Sequence, residues 1–242
     1  MLGNKLEEFK KIERLPERRR WARNWVRDLG EEELEKLVRE LLENGSREAL
    51  ELVGHIVSRL VKTKRELVFE VVERLATDED WELREEAATV IKEVKKKVDF
   101  GELYPKLKEW VERGPYLARA VSVGLIQRFK GEEKWVGKIL DLFEEIIQYD
   151  DSYVKKNCGP FGLAAIFRRY PERVEGKLLE WLDKYQDQPA VWWNVMMVFS
   201  QANAKYFPEA GRRVLEAMQG VEERFPKLKR SCESVWRKIN KS

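Results

Sequence analysis

Apolar residues recur at i, i+3, i+4 and i+7 along nearly the whole chain. Leu34, Leu37, Val38, Leu41 and Leu42 follow this spacing, as do Leu67, Val68, Val71, Val72 and Leu75. Each such run predicts a helix with one buried stripe. No run alternates in the manner of a strand. The breaks are short: Asn44-Gly45, Thr77-Asp78, Gly114-Pro115, Asp150-Asp151 and Gln188-Pro189. They carry N-cap and helix-start residues. Connections this short place consecutive helices antiparallel.

The starts of alternate helices resemble one another. Asp80-Trp81-Glu82-Leu83-Arg84 matches Pro115-Tyr116-Leu117-Ala118-Arg119 and Ser152-Tyr153-Val154-Lys155-Lys156, and more loosely Ala190-Val191-Trp192-Trp193-Asn194. Trp81, Tyr116, Tyr153 and Val191 follow at spacings of 35, 37 and 38 residues. That period falls just below the roughly 40–47 residues of HEAT and armadillo repeats. The intervening helices, Phe100–Glu112, Glu132–Gln148 and Pro171–Lys184, each carry an aromatic at a similar place: Trp110, Phe143 and Trp181. About six helix pairs fit between Glu31 and Asn240, after an N-terminal helical cap over 1–30 that contains Trp21 and Trp25. No pair buries its stripe alone, so neighbours must stack. The predicted fold is all-α: an α-α superhelix, or solenoid, of HEAT-like hairpins forming a single domain over 1–242. The concave wall of such a stack is the usual binding surface. The strict period and small-residue signature of tetratricopeptide repeats are missing.

Charged residues make up 38% of the sequence, against about 25% in ordinary domains. Lys and Glu abundance of this kind is thermophile-like. The net charge of +3 neither supports nor excludes a nucleic-acid partner, which needs a local basic face. The first residues are polar and charged, and no apolar run approaches the roughly 18 residues of a membrane span. Cys158 and Cys232 stand far apart. The expectation is a soluble, cytoplasmic monomer with reduced thiols.

One histidine, His55, and two distant cysteines leave no metal site to expect. Paired Ser-His or Cys-His nucleophiles and phosphate-cradling Gly loops are also missing. Ordinary hydrolase, kinase and dehydrogenase chemistry therefore lacks its parts, and no cofactor is expected. His55 sits mid-helix near Val53, Ile56 and Val57, a packing or surface position. Aromatic and charged residues remain. Trp81 and Trp192 stand in the first turn of second helices, where an indole can stack on a base for about 1–3 kcal/mol. Arg84, Arg119 and Lys156 occupy equivalent positions, so stacking would set them about 10 Å apart as a ladder of positive charge. Pairing of each with a neighbouring Glu is the competing expectation. Lys155 and the clusters Arg18-Arg19-Arg20, Lys95-Lys96-Lys97, Arg168-Arg169 and Lys227, Lys229, Arg230 are candidates for a basic rim. Glu85 follows Trp81 by four and shares its helix face. A carboxylate there can stabilise an oxocarbenium-like sugar during N-glycosidic cleavage; an ordinary salt bridge is the alternative.

Three of these segments resemble the DNA alkylation-repair glycosylases built of HEAT-like repeats (AlkD-like). Asp80-Trp81-Glu82-Leu83-Arg84-Glu85 is similar to that family's tryptophan-plus-acid segment. Tyr116-Leu117-Ala118-Arg119-Ala120 is similar to its Leu-x-Arg-Ala segment, whose arginine contacts the DNA backbone. Tyr153-Val154-Lys155-Lys156-Asn157-Cys158-Gly159, followed by Tyr170-Pro171-Glu172, resembles a third. The resemblance covers roughly Glu66 to Tyr185. It implies a double-stranded DNA partner and excision of purines alkylated at N3 or N7, without flipping the base into a pocket. Trp81 and Glu85 would be catalytic, and Arg84, Arg119, Lys155, Lys156, Phe161 and Trp192 would bind nucleic acid. Two departures stand out. The acid is Glu85 where the family has Asp, and the family's second cleft tryptophan falls at Pro160 or Phe161. A non-catalytic protein-interaction scaffold is the alternative function for such a stack.

Overall fold

The computed structural model describes residues 2–126 and 133–241. All regular elements among them are helical. They fall into two compact units, one up to Leu103 and one from Tyr104 onward.

The first unit opens with α1 (Leu2–Lys10) and α2 (Leu15–Trp25), the predicted cap. Two hairpins follow: α3 (Glu31–Asn44) with α4 (Arg47–Ile56), and α5 (Arg65–Ala76) with α6 (Trp81–Lys95). The breaks form as their residues dictate. Gly45 closes α3 in the left-handed region at φ 64°, which costs glycine least. Ser46 caps α4 by accepting the Ala49 N–H. Asp80 caps α6 by accepting the Glu82 N–H at 2.9 Å. Leu34, Val38 and Leu41 are buried, as are Leu67, Val68, Val71, Val72 and Leu75, so the predicted stripes are the core.

Helix α7 spans Phe100–Glu112. The second unit continues with α8 (Pro115–Ile126), α9 (Val136–Ile146) and α10 (Ser152–Asn157). A single π-helical segment, Cys158–Leu163, leads from α10 into α11 (Ala164–Arg169). Then come α12 (Pro171–Lys184), α13 (Pro189–Met197), α14 (Ala202–Tyr206), α15 (Pro208–Ala217), α16 (Val221–Arg224) and α17 (Lys229–Asn240). The predicted helix Glu132–Gln148 starts outside the described residues; within them a 3-10 turn at Glu133–Trp135 precedes α9.

Within each unit the hairpins repeat in register. Second helices stack on second helices, α4 on α6 and α8 on α10, and first helices on first helices, α9 on α12 and α12 on α15. Side-chain and backbone partners consequently recur about one repeat apart. Arg18 bonds Glu51 across 33 residues, Gly159 bonds Asn194 across 35, and Arg213 bonds Glu175 across 38.

Candidate functional site

In the first unit, the start of α6 presents its chemistry outward. The Asp80 cap is held by Arg47 Nε at 2.7 Å, and a second guanidinium nitrogen of Arg47 bonds Glu82. This fixes the first turn, from which Trp81 projects with 59% of its surface exposed. Glu85, one turn further on, is partly exposed. Both line a cavity of about 200 Å³, together with Leu15 and Arg19 of α2, Glu51 of α4 and Glu86 of α6. The two residues predicted to act together therefore meet at one cavity.

Beneath that cavity lies a buried charge network. Arg18 Nη1 donates to Glu51 Oε2 at 2.6 Å, and Arg19 Nη2 to Glu86 Oε1 at 2.6 Å. His55 stands between the carboxylates, with Nδ1 3.1 Å from Glu86 and Nε2 3.6 Å from Glu51. Its side chain is 1% exposed. Burial opposes the imidazolium, but the two carboxylates outweigh it and hold His55 above the ordinary imidazole range. Burial likewise opposes the Glu86 carboxylate, yet His55 and Arg19 keep it below the usual glutamate range. Charges this buried persist only when paired. The network ties α2, α4 and α6 together under Trp81 and Glu85.

In the second unit, α10, the π segment and α11 form one continuous helical run. Pro160 has no N–H to offer an α-helical bond, and the widened turn accommodates it. Gly159 permits the close approach of α13: a Cβ there would lie 2.4 Å from the Asn194 carbonyl oxygen. The inserted residue decides which side chain faces out. Pro160 is buried and Phe161 is 47% exposed. Of the two positions at which the second cleft aromatic could fall, Phe161 is the one at the surface. Lys156 and Arg168 are exposed along the same run. Lys155 is ion-paired with Asp150.

The other expected nucleic-acid contacts are less exposed or already engaged within the fold. Trp192 is only 5% exposed; Phe225 packs against it edge-on at 5.6 Å, and its Nε1 donates to the Tyr185 carbonyl. The apolar helix Pro189–Met197 is a core element, so its first-turn aromatic turns inward rather than to a base. Arg119 is 3% exposed, with its guanidinium 4.4 Å from the centre of the Tyr153 ring. It braces the next repeat instead of reaching out. Arg84 donates Nη1 to the carbonyls of Asp78 and Glu79, both at 2.7 Å, tightening the turn before α6. Of the three ladder positions only Lys156 projects from the surface. The rim thins as well: Arg18 and Arg19 serve the buried network, Lys96 pairs with Glu93, and Lys229 with Glu222. Arg168 and Arg169 remain exposed.

Sequence reasoning missed the network. Glu51 and His55, four apart on one helix face, were its only local trace; the partners Arg18, Arg19 and Glu86 come from other helices.

Stacked helical hairpins with an aromatic–carboxylate cavity at one helix start define a helical-repeat protein. The sequence pattern described as DNA alkylation repair enzyme matches residues 13–192, and the chain belongs to that family. The fold is similar to that of AlkD2 from Streptococcus mutans, with a TM-score of 0.66 at 21% sequence identity, covering 80% of this chain and 94% of that one. No curated protein matches the chain. Among the described residues no helix is long and apolar enough to cross a membrane.

Proposed function

We propose that the protein binds duplex DNA and excises purines carrying an alkyl group that makes the base cationic. The observation that supports this is the pairing of exposed Trp81 with Glu85 at one cavity, in a chain of the DNA alkylation repair family. Such a base is already a good leaving group. When the C1′–N bond breaks, its electron pair goes to the base and neutralises it. Positive charge then develops at C1′ and the ring oxygen of the sugar. The Glu85 carboxylate stabilises that charge, and water adds at C1′ with loss of a proton to leave an abasic site. Trp81 supplies a stacking and cation-facing surface. Lys156 acts at the phosphate backbone, Phe161 stacks, and Arg119 orients the Tyr153 ring.

The test is a duplex containing one 7-methylguanine. Release of the base above the spontaneous rate, slowed at least about tenfold by Glu85→Gln as expected for loss of one charge-stabilising group, supports the assignment. Wild-type release no faster than spontaneous hydrolysis, or an unaffected variant, removes the catalytic part.

A second reading, a protein-interaction role, draws on Tyr206 and Trp236. They are 65% and 38% exposed and lie beyond the residues matched by the family pattern. Loss of binding to a specific partner protein in Tyr206→Ala would support it; a chain that engages DNA alone would not.

A further inference from the structure

In the second unit a groove lies between the end of α15, the start of α16 and α17. The chain leaves α15 after Ala217 and turns into α16 through Gly220, held in the left-handed region at φ 80°. The hollow beside this turn has a volume of about 410 Å³, room for about 14 liquid waters. It accommodates several side chains rather than one.

The floor of the groove is apolar: Leu215, Met218 and Val221 lie there, buried. One wall comes from α17, which packs on α14 and α15. The buried stripe of α17 is Val235 and Ile239, one turn apart. Cys232 and Trp236, also one turn apart, form a second row beside it and line the groove. Cys232 is half-buried and Trp236 is 38% exposed. The apolar face of α17 is thus wider than the part its neighbours cover. Apolar side chains left open around one hollow, with a polar rim, mark a contact surface.

That rim is acidic. Glu216, Glu222 and Glu233, all exposed, border the hollow, and its described lining residues include no Lys, Arg or His. Lys229 reaches Glu222 at 3.4 Å. One ammonium against three carboxylates leaves the groove negative. Burial and the neighbouring Glu222 and Glu233 raise the Cys232 thiol above the ordinary cysteine range, as a negative field does to an acid. An acidic segment is repelled by such a groove, and a neutral apolar one gains only burial. A segment with an apolar row flanked by Lys or Arg gains burial and attraction together. The row on α17 advances by one helical turn. A helix laid along it meets that row with apolar residues at i, i+3, i+4 and i+7.

We propose that this groove docks a basic amphipathic helix of a partner protein, with its apolar row against Trp236 and its Lys or Arg side chains on Glu216, Glu222 and Glu233. The inference deepens the protein-interaction reading above by giving the site and the partner's chemistry, and it does not depend on the DNA assignment. Trp236 is the anchor, a residue type that concentrates binding energy at protein interfaces.

The full chain is titrated calorimetrically with two capped peptides of about 15 residues, long enough to form a helix on docking. Both carry Leu at i, i+3, i+4 and i+7 on an Ala background; the polar positions are Lys in one peptide and Glu in the other. At low salt the Lys peptide should bind at least about tenfold more tightly than the Glu peptide. Trp236→Ala should weaken the Lys peptide at least about tenfold, and Glu233→Lys should narrow the gap between the two peptides. Both changes fall at exposed positions, and a cooperative melting transition above the assay temperature shows that each variant folds. Cys232 reports the location. Cys158 is fully buried, so iodoacetamide modifies Cys232, and saturating Lys peptide should slow that reaction. Equal affinity for the two peptides, no binding of the Lys peptide at millimolar concentration, indifference to Trp236→Ala, or an unprotected Cys232 overturns the proposal. A chain that dimerises by itself, and no longer does so in Trp236→Ala, assigns the groove to a second copy and overturns it too. Lys-peptide binding that is lost in Tyr206→Ala and kept in Trp236→Ala removes the groove while the protein-interaction reading stands.

Discussion

Gly159 donates its backbone N–H to the side-chain oxygen of Asn194 at 3.0 Å, across 35 residues of sequence. Asn194 is fully buried, and its amide nitrogen is spent on the carbonyls of Ile147 and Ala190. One polar side chain thus pins the π segment to α13 and sets the direction of Phe161. Gly159→Ala would drive a Cβ against the Asn194 backbone and should cost about 1–3 kcal/mol, as overpacking does. Thermal unfolding reads the loss directly, and a melting temperature equal to wild type would show that the contact is slack.

Two tryptophans predicted to play similar parts should separate cleanly. Trp192→Ala empties a core site and should destabilise by about 3–5 kcal/mol. Trp81→Ala removes an exposed ring and should lie within about 0.5 kcal/mol of wild type. Denaturant midpoints of the two variants measure the difference. Equal losses would mean that the burial of Trp192 is not what holds that region.

The His55 network makes stability depend on pH with a defined sign. His55 has its pKa raised above 6.5 on folding. Its contribution is therefore complete below that value and is lost as pH rises through the folded-state pKa. Glu86 has its pKa lowered below 4.5, so its contribution is present above that value and is lost as pH falls through the folded-state pKa. Stability from this cluster should be greatest between the two and decline in both directions. His55→Gln should flatten the alkaline decline and lower stability by about 1–3 kcal/mol by leaving buried carboxylates short of a donor. Melting curves from pH 4 to pH 9, at roughly unit steps across the reference range of these groups, test this. A wild-type profile identical in shape to that of His55→Gln would contradict it.

Phe161→Ala should leave folding unchanged and weaken duplex binding by about 1–3 kcal/mol if the ring stacks on a base. Pro160→Ala removes no exposed ring and should leave affinity near wild type. Titrations of the two variants against one duplex distinguish the residues, and equal effects would take Phe161 out of the interface.

Helix content and repeat register could be read from the sequence because both depend on local periodicity. Leu34, Val38 and Leu41, and Leu67, Val68, Val71, Val72 and Leu75, are buried as their spacing requires, while Leu37 and Leu42 are half-buried, and breaks such as Asn44-Gly45 end helices where expected. The pairing of Trp81 with Glu85 was legible for the same reason, since four residues is one helical turn. Which side of a helix faces solvent is a different matter. Arg84, Arg119 and Lys156 share a position in the repeat, yet one caps a turn, one lies under a tyrosine and one is exposed. Tertiary neighbours decide between these fates. The π segment escaped for a related reason: Pro160 and the flanking glycines signal irregularity, but only the approach of Asn194 fixes it as a widened turn. Arg18 and Arg19, in a run of three arginines, look like a solvated patch until Glu51 and Glu86 arrive from other helices.

The claim on which the functional account depends is that the protein engages the DNA backbone. Its most direct test is the affinity for a plain duplex measured across a series of salt concentrations. The logarithm of the binding constant should fall linearly with the logarithm of salt, with a slope of about −0.9 per phosphate neutralised. Lys156→Ala should make that slope shallower by about one. A binding constant that does not change with salt, or no duplex binding at low salt, would contradict the account.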